Sequence, residues 1–320
     1  MRRRLLATAL LLAMYAGPAF AQAKPQVVTG SKAFAESWIL GEALKQLAEE
    51  TGTATAVHRR NLGGTEIVYQ ALRSGGVDIY VEYTGTLSEV ILKLPGRPSI
   101  AEMRRKLAPL GLGVSDSLGF NDGYALAVRP ETKAKYGLRR ISDLRKHPNL
   151  RLGFTHEFIG REDGWLGLRA RYGLSGMSPR GFDHSLAYQA IESGGIDLME
   201  VYTTDPQIQQ IGLTTLEDDR RFFPRYDAVL LYRLDLPRRA PQAFAAMEKL
   251  VGALDEAMMM RANGMVVLEK REASEAARML LNAALTPDTP APAAPPANTA
   301  RQALRRIAAD TRQHLFLVAV

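Results

Sequence analysis

The sequence contains one short unit twice, and this repeat decides the fold. Residues 69–86 read YQALRSGGVDIYVEYTGT, and residues 188–205 read YQAIESGGIDLMEVYTTD. At an offset of 119 the two stretches are identical at nine of eighteen positions. Each copy predicts a helix that ends at Ser-Gly-Gly, a tight turn, and a buried strand that ends near a tyrosine. The repeat therefore predicts two related sets of helices and strands.

Strands and helices alternate on both sides of the first copy. QVVTGSK, TATAVHRR and VDIYVEY have the pattern of strands, and they are separated by the helical pattern AESWILGEALKQLAEETG and by a helix that opens at Thr65. This alternation predicts an α/β fold with a parallel sheet covered by helices. A second such set lies between the strands GYALAVRP and YDAVLLYR. The order predicts two lobes joined by two crossing strands, with a ligand cleft between the lobes.

The predicted lobes have definite borders. We expect residues 24–128 and 229–285 to form the first, discontinuous lobe and residues 129–228 to form the second. Residues 286–300 form a Pro/Ala-rich linker in this prediction. Residues 301–320 begin as a basic amphipathic stretch and end apolar, which is typical of a solvated C-terminal helix.

The N-terminal stretch MRRRLLATALLLAMYAGPAFAQA predicts a cleaved signal peptide over residues 1–23. Three arginines precede an apolar run and small residues suited to cleavage. A membrane anchor is the alternative, but the apolar run is short for a membrane span. The chain has no cysteine, so neither a lipid-anchor cysteine nor a disulfide is possible. We expect the mature protein in the periplasm.

The net charge gives no indication of a nucleic-acid partner. The whole chain carries +7, but three arginines lie in residues 1–23, and residues 286–320 add four arginines and two aspartates. Residues 24–285 are left with +2, and acids and bases are interspersed. This distribution is typical of a solvated surface rather than of a stripe that binds a polyanion. We expect a monomer.

Four tyrosines are candidates for a binding site. Tyr83 and Tyr202 end the two repeated strands, and ligands of open α/β sheets bind beyond the carboxyl ends of strands. Tyr124 and Tyr226 each stand at the start of a strand next to a crossing. Converging from both lobes, these rings would form an aromatic box that attracts a cation without N–H donors. Duplicated packing is the alternative for the repeated pair.

Six motifs, in order, resemble one family. GSKAFAESWILGEAL, NLGGTEIVYQAL, VDIYVEYTGT, FNDGYALAV, EFIGREDGW and LEDDRRFFPRYDAVLL are similar to the substrate-binding subunits of osmoprotectant ABC importers. These subunits bind glycine betaine, choline and related quaternary ammonium solutes with a type II periplasmic-binding-protein fold. The resemblance extends from about residue 26 to residue 283.

The resemblance implies roles for eight residues and a partner. It implies that the ammonium group is surrounded by Tyr83, Tyr124, Tyr202 and Tyr226. It implies that a ligand carboxylate is bound by Lys32, Thr86 and Arg161, and that Asp122 lies beside the box. An arginine suits this task because it binds a carboxylate with two parallel hydrogen bonds. The implied partner is the permease of an ABC importer. The resemblance also offers a second interpretation of residues 301–320, as the start of a permease-like segment.

This sequence departs from the common SKNFTEQ of the family at Ala33, Ala35 and Ser37. Polar side chains near the mouth of the site are therefore missing or shortened.

Other functions remain as alternatives. The same fold could bind another cation or an amino-acid-like solute, or it could serve a sensor. A periplasmic enzyme would need a nucleophile or an acid/base pair, and no serine motif, cysteine or close carboxylate pair stands out. The five histidines lack the spacing of metal ligands. We therefore expect a binding protein rather than an enzyme, without cofactor or metal.

Overall fold

The structure is a computed structural model, and it describes residues 23–94 and 96–286. The predicted signal peptide, linker and tail lie outside the described residues, apart from residues 23 and 286 at their borders. In the part of the chain that is described, no helix combines the length and the apolar character needed to cross a membrane.

The described strands form two five-stranded sheets. They are β1 (Gln26–Gly30), β2 (Thr55–Arg59), β3 (Ile79–Tyr83), β4 (Leu112–Asn121), β5 (Tyr124–Val128), β6 (Leu152–Thr155), β7 (Arg180–Phe182), β8 (Leu198–Tyr202), β9 (Thr214–Thr215) and β10 (Asp227–Arg233). The first sheet has the order β2-β1-β3-β10-β4, and the second has the order β7-β6-β8-β5-β9. β10 is antiparallel to β3 and β4, and β5 is antiparallel to β8 and β9. The two sheets are therefore built on one plan.

The helices cover both faces of each sheet. They are α1 (Ala35–Glu50), α2 (Thr65–Arg73), α3 (Thr84–Thr86), α4 (Ile100–Leu107), α5 (Pro130–Tyr136), α6 (His156–Gly160), α7 (Trp165–Tyr172), α8 (His184–Glu192), α9 (Gln207–Ile211), α10 (Leu236–Arg239), α11 (Pro241–Glu248), α12 (Glu256–Val267) and α13 (Ala273–Leu285). A π-helical turn spans Leu87–Ile91, and 3₁₀ helices span Ala108–Leu110 and Ile141–Lys146.

Each sheet separates two hydrophobic clusters. In β3, Ile79 and Val81 pack into the cluster that contains α1, whereas Tyr80 packs into the cluster on the other face with α2 and α4. In β8, Leu198 and Met199 divide in the same way between the two clusters of the second lobe. Alternate residues of a strand point to opposite faces, so a strand covered on both faces is apolar throughout. This explains why both repeated strands have almost continuous apolar sequences.

The repeated unit makes an equivalent hydrogen bond to the neighbouring strand in each lobe. The backbone N–H of Val28 donates to Asp78 Oδ2 at 2.8 Å, and the backbone N–H of Arg151 donates to Asp197 Oδ2 at 2.9 Å. Asp78 and Asp197 are equivalent positions of the repeat. Each aspartate stands just before its own strand, and through this hydrogen bond it holds the neighbouring parallel strand in position.

The turn and the exposed side chains of the repeat are also preserved. Gly75 and Gly194 have φ of +81° and +75°, a conformation that glycine adopts without steric strain. Ile67 and Leu186, again equivalent, are 57% and 47% exposed. The two units therefore share their buried and exposed faces as well as their backbone.

One strand belongs to a different sheet from the one that the predicted lobe borders imply. Those borders place residues 124–128 in the first lobe, but β5 pairs with β8 in the second sheet, with Tyr124 opposite Tyr202. The strand that precedes this change of sheet is β4, which ends at Asn121. An alternating apolar pattern marks a strand but does not specify its partner, because pairing depends on contacts distant in sequence.

Candidate functional site

A small cavity between the two lobes brings the predicted site residues together. We call it the inner compartment, and its volume is about 30 Å³, room for little more than one or two waters. Its walls are formed by Lys32, Phe34, Tyr83, Thr86, Asp122, Tyr124, Glu157, Arg161, Tyr202 and Tyr226. All eight predicted residues are in this set, and Phe34 and Glu157 are additions that the sequence interpretation missed. That these side chains bind a ligand stays a prediction.

Strand ends position the four tyrosines. Tyr83 and Tyr202 are the last residues of β3 and β8. Tyr124 is the first residue of β5, directly opposite Tyr202. Tyr226 immediately precedes β10. The duplicated strands thus deliver one tyrosine from each lobe to the same cavity.

The rings form a continuous aromatic row. Centroids are 6.5 Å apart for Tyr83 and Phe34, 5.4 Å for Phe34 and Tyr202, and 5.5 Å for Tyr202 and Tyr124. Tyr124 then meets Tyr226 edge to face at 5.2 Å. These separations are normal for aromatic pairs in contact, which explains why the inner compartment is so small.

Two of the tyrosine hydroxyls donate to buried carboxylates. The Tyr83 hydroxyl donates to Glu36 Oε1 at 2.6 Å, and the Tyr226 hydroxyl donates to Asp163 Oδ2 at 2.8 Å. Burial, followed by these carboxylates, raises the pKa of both phenols well above its ordinary value, so both remain donors. A hydrogen bond to a charged acceptor polarises the donor, which makes the ring faces more attractive to a cation.

A shared proton lies behind the row. Thr204 Oγ1 is 2.7 Å from Glu36 Oε2 and 2.8 Å from Asp122 Oδ1. A hydroxyl has one proton to donate, so one of these two carboxyls must donate to Thr204. Burial is the main reason that the pKa of each carboxyl is raised, and that of Asp122 lies well above its ordinary value. Glu36 also accepts from Tyr83 and Asn263, so we assign the proton to Asp122 and the charge to Glu36.

The predicted lysine already has a carboxylate partner. Lys32 Nζ donates to the fully buried Glu82, which also accepts from the Tyr80 hydroxyl and the Tyr83 backbone N–H. An ammonium group has three donors. Among the described residues no second acceptor is within hydrogen-bond distance of Nζ, so two donors are available toward the cavity.

The predicted arginine is more completely engaged. Arg161 Nε donates to Asp163 Oδ1 at 2.7 Å, and Nη2 donates to Asp163 Oδ2 and, at 3.2 Å, to Thr86 across the cleft. Nη1 donates to Glu157 Oε1 at 3.1 Å. Four of the five guanidinium donors therefore have partners among the described residues. Arg161 can offer a ligand one hydrogen bond here rather than a bidentate pair.

Glu157 adds an ionised carboxylate to the cavity wall. Burial alone would raise its pKa, but Lys32, Arg161 and the hydrogen bonds from Thr65 together outweigh burial and hold the pKa of Glu157 below its ordinary value. Its Oε1 also accepts from the Thr65 hydroxyl at 2.6 Å, which joins α2 of one lobe to α6 of the other. The site thus contains more buried carboxylates than its cations neutralise, a balance that favours a cationic group.

A second and larger cavity adjoins the first. We call it the outer compartment, and its volume is about 430 Å³. It shares Lys32, Phe34, Glu157 and Tyr202 with the inner compartment. Its other walls are formed by Ala33, Gly63, Gly64, Thr155, His156, Phe182, Asp183 and His184. Within the described ranges, no three His, Asp or Glu side chains are arranged to hold a metal ion.

Comparisons with known proteins agree with this architecture. Residues 25–283 match the family model described as the substrate binding domain of ABC-type glycine betaine transport systems. The ergothioneine transport permease/ergothioneine binding protein of Helicobacter pylori is 34% identical over 255 residues, which cover 78% of this chain but only 45% of that protein. The carnitine transport binding protein of Listeria monocytogenes is 32% identical over 252 residues, covering 75% of this chain and 80% of the relative.

A solved structure of a similar protein agrees with the two-lobe architecture. The crystal structure of a glycine betaine/carnitine/choline ABC transporter superposes with a TM-score of 0.64 at 30% identity, and covers 80% of this chain and 98% of that one. The predicted two-lobe type II periplasmic-binding-protein fold is thereby confirmed.

Proposed function

The chain belongs to the family of substrate-binding domains of ABC-type glycine betaine transport systems, and on this basis we propose that it captures a quaternary ammonium solute between its lobes and delivers it to an ABC importer. The observation that supports this most strongly is the aromatic row beside the inner compartment, with buried carboxylates behind it. A ring face attracts such a cation by about 0.5 to 2 kcal/mol per contact. Several rings and carboxylates together suit a cation that cannot donate hydrogen bonds.

We propose a role for each predicted site residue. The ammonium group would lie against the rings of Tyr83, Tyr124, Tyr202 and Tyr226, with Phe34 completing the row. A ligand carboxylate would accept from the donors left on Lys32, Thr86 and Arg161. Asp122, to which we assign the proton shared through Thr204, lies beside the row without adding to the negative charge of the site.

A betaine has one group for the aromatic row and another for the donors that would bind a carboxylate. The relatives described above are named for carnitine and ergothioneine, and both molecules combine a trimethylammonium group with a carboxylate, as glycine betaine does. We propose that the ligand of this chain has the same two groups.

The alternatives are less well supported. An amino-acid-like solute would bring N–H donors to a row of ring faces, which accept hydrogen bonds only weakly. A sensor would use the same site and differ only in its partner, so the genes beside this one would distinguish it from an importer subunit. Against an enzyme, the Glu36 and Asp122 carboxyls are occupied by hydrogen bonds to Thr204, and the relatives named above are transport proteins.

Location and partners complete the proposal. The signal-peptide pattern of residues 1–23 supports a periplasmic protein. The partner would be the importer permease, and the near-neutral charge of residues 24–285 argues against nucleic acid. We propose that the protein acts as a monomer without cofactor.

A methylation series tests the proposed function. Glycine, N,N-dimethylglycine and glycine betaine share a carboxylate and differ in the N–H groups on nitrogen, so we expect affinity to rise sharply with the last methyl group. A ligand at a hundred times its Kd stabilises the folded state by about 2.7 kcal/mol, which raises the unfolding midpoint of a domain of this size by about 5 to 10 °C. Thermal-shift measurements should show this rise with glycine betaine and almost none with glycine. Equal shifts for both, or none for any quaternary ammonium solute, would overturn the proposed function.

A further inference from the structure

The outer compartment extends the ligand site beyond the aromatic row. Its volume of about 430 Å³ far exceeds the 30 Å³ of the inner compartment. Phe34 and Tyr202 face both spaces, so a molecule with its ammonium group at the row can continue from one compartment to the other. Protein sites for small molecules usually have volumes of about 300 to 1,000 Å³, and of the two compartments described the outer one falls in this range.

The walls of the outer compartment combine flat rings with polar groups. His184 stacks on Tyr202 with centroids 4.3 Å apart, and its Nε2 donates to Asp205 Oδ2 at 2.9 Å. Phe182 lies at the same wall, near Arg180. These surfaces suit a ligand segment that is planar or slender rather than bulky.

The backbone at this wall favours hydrogen-bond acceptors on the ligand. α1, α2 and α8 begin at the compartment with Phe34, Gly64 and Asp183 as the residues before their first turns, and the side chains of these three residues make no capping hydrogen bond. At α2, Glu157 accepts from the hydroxyl and the backbone N–H of Thr65, which leaves the starts of α1 and α8. The first N–H groups of a helix lack partners within the helix. Several backbone donors are therefore close to the space that the ligand segment would enter.

Apart from Gly63 and Gly64, which have no side chain, Ala33 has the smallest side chain at this wall. It lies between Lys32 and Phe34, is exposed, and contributes only a methyl group. Its backbone N–H donates to the carbonyl oxygen of Gly63, another residue of this wall, at 3.0 Å. A larger side chain at position 33 would therefore project into the outer compartment without displacing the aromatic row.

We propose that the outer compartment binds the polar arm of a betaine longer than glycine betaine, and that Ala33 determines how long an arm is accepted. The inference rests on the proposed function, because the ammonium group must lie at the aromatic row. The ligand class is a trimethylammonium compound whose arm carries hydrogen-bond acceptors. L-carnitine and ergothioneine, whose arm is an imidazole-2-thione, are suitable probes.

The test is calorimetric titration of the wild type, Ala33→Leu and Ala101→Leu with glycine betaine, L-carnitine and ergothioneine. Ala101 is an exposed residue of α4 that lines neither compartment, so it is the matched control. We expect Ala33→Leu to weaken at least one of the longer betaines tenfold or more while glycine betaine changes less than twofold. Ala101→Leu should leave all affinities unchanged.

The outcomes separate this inference from the proposed function. A wild type that binds glycine betaine but neither longer betaine would overturn the inference alone. So would equal losses for all ligands, or none, in Ala33→Leu. A wild type that binds no quaternary ammonium solute would overturn both proposals, and unchanged glycine betaine binding shows that the variant is folded.

Discussion

Replacing Arg161 with alanine is expected to lower the free energy of unfolding by about 3 to 5 kcal/mol, because removal of one partner leaves a buried charge uncompensated. The charge left behind is that of Asp163, whose side chain is 2% exposed and accepts two hydrogen bonds from Arg161. Tyr226 would remain as its donor, but a neutral hydroxyl does not replace a guanidinium. Denaturant unfolding of the wild type and the variant measures the difference.

The matched control for this variant is Arg271→Ala. Arg271 pairs with Glu275 at 2.8 Å, but both side chains are about half exposed, and such pairs contribute about 0 to 1 kcal/mol. If Arg161→Ala were no more destabilising than this control, the buried pair would not have the strength that its geometry implies.

Replacing Tyr202 with alanine is expected to weaken every quaternary ammonium ligand by about thirtyfold, which corresponds to the roughly 2 kcal/mol of a desolvated cation–π contact. Tyr202 stands in the middle of the aromatic row, between Phe34 and Tyr124, and faces both compartments. Tyr202→Phe should change affinity less than threefold. Its hydroxyl makes no hydrogen bond to any described residue, so the phenylalanine keeps the ring and removes little else.

Calorimetry with glycine betaine and choline on both variants provides the measurement. Tyr136→Ala is the matched control, because Tyr136 belongs to the same lobe and packs at its core without lining either compartment. Losses of similar size in Tyr202→Ala and Tyr136→Ala would indicate damage to the lobe rather than loss of a ring from the site. A large loss in Tyr202→Phe would assign the affinity to the hydroxyl instead.

The sequence predicted much of the site because the repeat and the strand ends are local signals. The short, almost continuous apolar runs after the Ser-Gly-Gly turns located the ends of β3 and β8, and the tyrosines there do meet at one cavity. Phe34 was missed although it stands two residues after Lys32. A single aromatic residue before a helix gives no local sign of whether it packs inside or lines a cavity.

Apart from Asp163 and Glu157, which stand close to Arg161 in the sequence, the electrostatic partners could not be predicted because they are distant in sequence. Glu36 in α1 accepts hydrogen bonds from Thr204, which lies between β8 and α9, and from Asn263 in α12. Lys32 meets Glu82 fifty residues away. Only the packed structure shows that the cations predicted for the ligand carboxylate also neutralise carboxylates of the protein itself.

A crystal structure of the protein with glycine betaine tests the central claim most directly. The account predicts the quaternary nitrogen between the two lobes, within about 6 Å of the ring centroids of the aromatic row, and the carboxylate within hydrogen-bond distance of Lys32 or Arg161. The rings must separate from their present contacts to admit it, because the inner compartment measures only about 30 Å³. A ligand nitrogen located away from these rings, with the aromatic row still closed, would contradict the account.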